Sequence, residues 1–278
     1  MGTPFSVLMS VYKNESALFL KDALYSLINQ SCIPTEIVLV EDGPLTDSLY
    51  DVISEFRNVY QNLKSVKLPQ NIGLGGALNQ GLKACTYNLV ARMDSDDLCY
   101  HDRFEKQIRI FENHPDIKIC GGWISEFSDN PNITTGYRKV PERNDDIVKH
   151  FRKMSPMNHV TVMFDKAAIQ SVDGYQPFFQ FEDYWLWARL IKKGYAFYNI
   201  PDVLVNVRGG ISMSRRRGGL KYVRSEISFQ NEIYRLGLIG KSDLLKNLVV
   251  RTTVRLMPSR LRVYIYSMIR KYQDKNVD

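Results

Sequence analysis

Tyr87-Asn88-Leu89-Val90-Ala91-Arg92-Met93-Asp94-Ser95-Asp96-Asp97 is the stretch on which the reading of this chain turns. An apolar run ends abruptly in three carboxylates within four residues. Close like charges repel, and burying them unpaired is costly. A hard divalent cation, which takes oxygen ligands and suits Mg²⁺ or Mn²⁺, makes such a cluster tolerable. A solvated turn is the plain alternative, and the cluster alone does not choose between them.

Working outward, the pattern of an apolar strand ending in polar residues recurs three times before it. Phe5 to Tyr12 reads as a buried strand followed by the turn Lys13-Asn14-Glu15, and residues 16–30 carry helical periodicity. Glu36 to Val40 forms a second strand ending at Glu41-Asp42-Gly43, with a helix over about 46–58. A third strand, Ser65 to Leu68, runs into Asn71-Ile72-Gly73-Leu74-Gly75-Gly76 and a helix over 77–84; Leu89 to Met93 is the fourth strand. Strands alternating with helices predict an α/β fold with a doubly wound, mainly parallel sheet and right-handed crossovers. Ligands of such sheets bind beyond the carboxyl ends of the strands, where all four polar loops fall. The site is not a Rossmann dinucleotide site, because Gly73-Leu74-Gly75-Gly76 lacks GxGxxG spacing, and there is no GxxxxGK[ST] phosphate loop. A nucleotide held here would rely on a metal for its phosphates.

Taken together, Val7 to Glu15, Val38 to Gly43, Asn71 to Asn79, Arg92 to Asp97 and Phe181-Glu182-Asp183-Tyr184-Trp185-Leu186-Trp187 resemble the successive signatures of family 2 glycosyltransferases with the GT-A fold. The resemblance implies a catalytic domain over 1–215, with a nucleotide-binding half at about 1–100 and an acceptor-binding half at about 101–215. It also implies roles. Tyr12 would pack on the base and Asp42 accept from uracil N3–H, with Asn14 and Glu15 on base or ribose. Leu74, Ala77 and Asn79 would complete the nucleoside pocket. Arg92 would face the nucleotide, with a strand-end pair to a neighbouring aspartate as its alternative. Asp94, with Ser95, would serve the nucleotide, Asp96 the metal (Mn²⁺ or Mg²⁺), and Asp97 the donor sugar. Asp183 would be the base on the acceptor hydroxyl, Glu182 the second candidate or an acceptor contact. Acids at a helix start also stabilise its dipole, which is their structural explanation. His159 resembles a position near the acceptor, and Trp185 or Trp187 offers a sugar-stacking face, although a spacing of two puts them on different sides of a helix. Arg208 would belong to a flexible loop, 206–217, closing over the diphosphate.

The chain of 278 residues carries a net charge of +7. Residues 1–204 hold 21 Lys/Arg against 25 Asp/Glu, and residues 205–278 hold 16 against 5. A basic C-terminal quarter on a mildly acidic body points to an anionic surface as partner. Residues 220–236 and 241–272 have helical periodicity broken at Pro258, and basic side chains mix there with apolar and tyrosine residues. That predicts a basic helical region over 216–278 lying in a membrane interface; packing on the body or in a homodimer is the alternative. No apolar run reaches the roughly 20 residues that cross a bilayer. No secretory signal is read at the N-terminus, and the four cysteines (Cys32, Cys85, Cys99, Cys120) lack metal-site spacing. A cytoplasmic enzyme peripheral to the inner face of the membrane is therefore expected, resembling bacterial O-antigen or capsule transferases. It would move a hexose from a UDP-sugar, UDP-Glc or UDP-Gal favoured, to a polyprenyl-diphosphate-linked sugar with inversion, giving a β linkage such as β-1,3. The alternatives are a sugar-nucleotide nucleotidyltransferase, which would need a Gly- and basic-rich loop after strand one, and a nucleic-acid-binding protein, for which the acidic body is unsuited. No nucleic-acid partner is expected.

Overall fold

Four short apolar runs become four parallel strands in the computed structural model, which describes residues 2–209, 219–258 and 261. These are β1 (Ser6–Val11), β2 (Glu36–Glu41), β3 (Leu63–Lys67) and β4 (Leu89–Met93), in the order β3-β2-β1-β4. Helices α1 (Ala17–Ile28), α2 (Asp47–Val59) and α3 (Leu74–Ala84) make the crossovers. β1 and β2 are buried almost throughout, because helices cover both faces of a parallel sheet.

α3 starts three residues before the predicted 77–84, taking Gly75 and Gly76 into its first turn. Helical glycine costs up to ~1 kcal/mol relative to alanine, and close approach explains why it is tolerated. A Cβ on Gly76 would come within 3.0 Å of Ile72 Cδ1. At Gly81 it would be 2.3 Å from Leu8 Cδ1 and 2.5 Å from Val40 Cγ2, so α3 lies flush on the sheet.

Beyond β4 the topology becomes mixed. β5 (Leu98–Cys99), α4 (Arg103–Asn113), β6 (Ile117–Phe127), β7 (Thr134–Arg138), α5 (Asn144–Phe151), a 3₁₀ turn (His159–Thr161), β8 (Met163–Asp165), α6 (Lys166–Gln170), α7 (Glu182–Lys192) and β9 (Ala196–Arg208) follow. The sheet continues β4-β8-β6-β9-β5, with β7 paired to β6. β8 is antiparallel to both neighbours and β9 is parallel to β6. α4 fastens this half to the first from inside: the fully buried Arg103 donates to the Arg92 carbonyl at 2.7 Å, and Gln107 donates to the carbonyls of Cys120 and Thr161. The cysteines are free thiols, and burial pushes Cys85 and Cys120 up to about 12, as suits core positions. Arg208 ends β9, in register with Phe127, rather than belonging to a loop. Asn206 and Val207 of the predicted closing loop also lie in β9, and its residues 210–217, including Arg215-Arg216-Arg217, lie outside the described residues.

Two helices follow, α8 (Leu220–Arg235) and α9 (Lys241–Leu256). Tyr222, Phe229 and Ile233 of α8 share one core cluster with Phe181 and Tyr184. Phe229 stacks on Phe181 with centroids 4.9 Å apart. α9 stops before Pro258, and the remainder of the predicted 241–272 helix lies largely outside the described residues. No helix among the described residues is long and apolar enough to cross a membrane.

α9 turns a mixed side inward, with Leu244 packed on the core. Its inward side presents Asn247, Arg251 and Arg255 to the wholly buried Glu226 and Gln230 of α8. Arg251 donates to Glu226 at 2.8 Å and Arg255 at 3.4 Å. Leu245, Val249, Val250 and Leu256, each more than half exposed, point outward. Removing one member of a buried ion cluster leaves uncompensated charge. Glu226→Ala is expected to lower stability by about 3–5 kcal/mol in urea unfolding, with Glu226→Gln costing less.

Candidate active site

The polar loops after β1, β2 and β3 enclose a cleft of about 470 Å³, lined among others by Tyr12, Asn14, Asp42, Pro44 and Asn71. Tyr12 is exposed on this cleft rather than packed in the core. Asp42 is buried at its base and serves as a loop anchor. Its carboxylate accepts from Asn71 Nδ2 at 2.9 Å, Ile72 N at 2.8 Å and Gly73 N at 3.1 Å. The third loop is thus hung on the second. Leu74 is exposed beside it, whereas Ala77 has no exposed surface and packs into the core. The expectation that Ala77 lines the pocket is corrected: it lies on the side of α3 that faces the sheet. Asn79 is half-buried, its amide bonded to the backbone of Tyr175.

The carboxylate cluster follows β4 and is tied to the first of these loops. Arg92, almost fully buried, donates from both terminal nitrogens to Asp94, so the strand-end pair is the observed arrangement. Ser95 Oγ donates to Glu15 at 2.7 Å, joining the first and fourth loops. Asp97 is buried and accepts from the Arg208 backbone N–H at 2.7 Å, which turns it toward β9. Arg208 itself holds this loop. Its Nε donates to the Asp96 carbonyl at 3.1 Å, and its guanidinium lies 3.7 Å from the Phe19 ring centroid and 4.7 Å from that of Phe127. The side chain expected on the diphosphate instead braces the aspartates.

Burial, and then the charge of Asp94 and Glu15, pushes the Asp96 carboxyl up to about 6. Asp97 is raised well above the usual carboxylate range by burial, Asp94 and Asp96. This is a surplus of negative charge facing one paired arginine. Among the described residues no three His, Cys, Asp or Glu side chains form a ready-made metal cage. The all-oxygen donor set with its charge surplus nonetheless fits a hard cation held by one or two carboxylates and completed by substrate phosphates and water.

The second acidic pair opens α7: Glu182 and Asp183 occupy its first turn, both half-buried. Burial, then Asp183, raises the Glu182 carboxyl. Beside the start of α3 lies Tyr175, which the sequence reading did not single out; a Cβ on Gly75 would be 3.4 Å from its Cβ. Its buried hydroxyl is 2.8 Å from His159 Nε2 and feels the charges of Arg92, Asp183 and Asp94 together. His159 is held well below its ordinary value by burial and by Arg92, so it is neutral at pH 7. Trp187 is fully buried; Trp185 is half-buried, its indole donating to Gln176 at 3.0 Å. Only the aromatic after Gly174 marks Tyr175 in the sequence, and nothing local distinguishes it from a core tyrosine.

The profile described as glycosyl transferase family 2 matches residues 6–175. The chain is 40% identical over 265 residues to an Escherichia coli UDP-Gal:alpha-D-GlcNAc-diphosphoundecaprenol beta-1,3-galactosyltransferase, covering 95% of this chain and 96% of that one. It is 40% identical over 271 residues to the amylovoran biosynthesis glycosyltransferase AmsE of Erwinia amylovora, covering 96% and 99%. Among solved structures, S. aureus TarS 1–349 in complex with UDP-GlcNAc superposes with a TM-score of 0.65 at 21% identity, over 91% of this chain and 72% of that one. The Pyrobaculum calidifontis mannosyltransferase PcManGT, in complex with GDP-Man and Mn²⁺, does so with a TM-score of 0.61 at 14% identity, over 97% and 81%. The fold is GT-A, that of nucleotide-sugar-dependent transferases. The chain belongs to glycosyl transferase family 2 and is a glycosyltransferase.

Asp42→Ala would strand three donors in the third loop. It is expected to cost about 1–3 kcal/mol in urea unfolding, with Asp42→Asn intermediate because the carboxamide oxygen keeps one acceptor.

Proposed function

We propose that the protein is an inverting, metal-dependent hexosyltransferase. It would transfer galactose, or alternatively glucose, from the UDP-sugar to a polyprenyl-diphosphate-linked sugar in polysaccharide repeat-unit synthesis, forming a β linkage at position 3. The observation that carries the reading is that Glu182 and Asp183, at the start of α7, lie against the start of α3 beside the third polar loop, where a Cβ on Gly75 would be 3.6 Å from Glu182 Cγ. Likeness to the E. coli galactosyltransferase over nearly all of both chains supports the donor, acceptor and linkage.

In this reading Tyr12, Asn14 and Glu15 hold the base and ribose at the cleft, and Asp42 presents the loop that completes it. Asp96 would hold Mg²⁺ or Mn²⁺, which when bound neutralises charge on the diphosphate. Asp183 takes the proton of the acceptor hydroxyl as that oxygen attacks the anomeric carbon. The bond from this carbon to the β-phosphate oxygen breaks with its electron pair, UDP departs, and an α-linked donor becomes a β-linked product. Glu182, whose raised carboxyl holds a proton more readily, contacts the acceptor.

The outward stripe of α9 supports a peripheral position on the inner face of the cytoplasmic membrane. At about 100° per residue Leu245, Val249 and Leu256 fall within a narrow arc of the helix, flanked by the exposed Lys241 and Lys246. Apolar side chains bordered by cations match an anionic headgroup surface, which is also where a polyprenyl-linked acceptor is held.

Two measurements test these readings. UDP release should require UDP-Gal or UDP-Glc, a lipid-diphosphate sugar acceptor and Mn²⁺, and stop in EDTA; full activity in EDTA overturns the metal role. Asp183→Asn should lower kcat by about 10²–10⁴-fold while calorimetric donor affinity stays near wild type, and a loss of donor binding instead reassigns the base. Separately, the full chain should float with phosphatidylglycerol vesicles but not with phosphatidylcholine ones, and Leu245→Glu/Val249→Glu should abolish flotation. If the vesicles do not bind and the same variant dissociates a dimer or lowers Tm, the stripe is covered by a second copy or by residues 259–278.

A further inference from the structure

One backbone segment between the proposed donor-binding and base-bearing residues is gripped by side chains from both α3 and α7. Asn79 of α3 donates through Nδ2 to the Tyr175 carbonyl at 2.6 Å and accepts from the Tyr175 N–H at 2.8 Å. From the opposite flank Arg189 of α7 donates to the carbonyls of Val172 and of Gly174, the latter at 2.6 Å. The segment is shaped for this grip. Asp173 and Gly174 both have positive φ, 60° and 62°, and a Cβ on Gly174 would lie 2.4 Å from Asn79 Oδ1. Only glycine lets the carboxamide come this close.

Of the two gripping helices, α7 carries residues of the proposed mechanism and α3 follows the loop that Asp42 holds. α3 is seated flush on β1 and β2 through Gly81, and the loop leading into it hangs on Asp42. α7 begins with Glu182 and Asp183, and Gly75 at the start of α3 approaches Tyr175 Cβ and Glu182 Cγ, with 3.4 and 3.6 Å to an added Cβ. A carboxamide bonded to both N–H and C=O of one residue mimics a strand neighbour and fixes translation along two directions. Loss of either bond frees the segment that spaces α7 from α3.

We propose that Asn79 is a positioning residue: through its paired hydrogen bonds to Tyr175 it sets the place of Asp183 relative to the nucleotide-sugar cleft, and Arg189 completes the grip from the other side. The inference rests on Asp183 acting as the base. It predicts a particular failure. Without Asn79 the donor still binds, because the cleft loops are held by Asp42 and Glu15, but attack is misaligned. A displacement on the ångström scale at a reacting centre costs up to about 100-fold in rate.

The test is a kinetic cycle on the full-length chain with UDP release as readout. Asn79→Ala should lower kcat about 10- to 100-fold with donor Kd within about twofold of wild type. In an Asp183→Asn background the same change should cost almost nothing, because the group it aligns is already gone. Arg189→Lys, which keeps one donor, should show the same split more mildly and guards against a misfolded Asn79→Ala. Additive losses in the cycle, or a donor affinity that falls as far as kcat, overturn the proposal and make Asn79 a core fastener or a nucleotide contact. If Asp183→Asn is itself as active as wild type, the base assignment fails first. If Asp183→Asn is dead while Asn79→Ala is fully active, the positioning role alone fails.

Discussion

Repulsion among the carboxylates gathered at the end of β4 is the constraint around which this structure is arranged. Glu15, Asp94, Asp96 and Asp97 converge where a parallel strand ends, and Arg92 is the buried cation that meets them. A guanidinium in that position is itself costly to bury, so it is supported in turn: Arg103 and Gln107 tie the Arg92 carbonyl and its neighbours into α4, β6 and the 3₁₀ turn. Arg208 braces the loop from β9 with its amide and its guanidinium, packed between two phenylalanines. Hydrogen bonds to the charged form lower a carboxylate's proton affinity, yet burial and like charge still dominate at Asp96 and Asp97. A site left with negative charge in excess is predisposed toward a cation and a diphosphate arriving together.

The first half of this architecture was legible because its signals are local. Apolar runs of five or six residues alternate with amphipathic helices, and each run ends in polar residues, so parallel order and the ligand edge follow from pattern alone. The second half is harder to read. β8 has three residues and is antiparallel to both neighbours, a pairing set by distant partners rather than by its own sequence. Side-chain direction is harder to read from the sequence than position. Ala77 and Asn79 do belong to the helix after the third loop, but one faces the sheet and the other faces Tyr175. Arg208 is near the aspartates, yet its strand register aims it at their loop.

The C-terminal helices show the same limit in another form. Apolar and basic residues mix around α9, so its sequence does not say which side turns inward. A buried carboxylate on α8 requires cations, and Arg251 and Arg255 supply them only if α9 turns their side to the body, where Leu244 also packs on the core. The helix is therefore oriented by an ion cluster together with apolar contact, and Leu245, Val249 and Leu256 are left at the surface. An exposed contiguous apolar stripe in a soluble fold marks a contact surface, and its basic flanks narrow the kind of surface it suits.

The proposed division of the reaction between two halves of the sheet creates a mechanical problem, since donor and base would have to keep their spacing without sharing an element. The parallel half solves its part with loops hung on one another, Asn71 to Gly73 on Asp42 and Ser95 on Glu15. The mixed half solves the other part with the Val172–Tyr175 segment, which has positive-φ geometry at Asp173 and Gly174 and brings Tyr175 against the start of α3. Backbone held in uncommon conformations persists only where the surroundings over-determine it. Here they do, because side chains from two helices bond the carbonyls and the amide of the same four residues. Stiffness at this junction is therefore a property of the whole fold, and the glycines of α3 that look like weak points in a helix are what allow it to come close enough to make the junction.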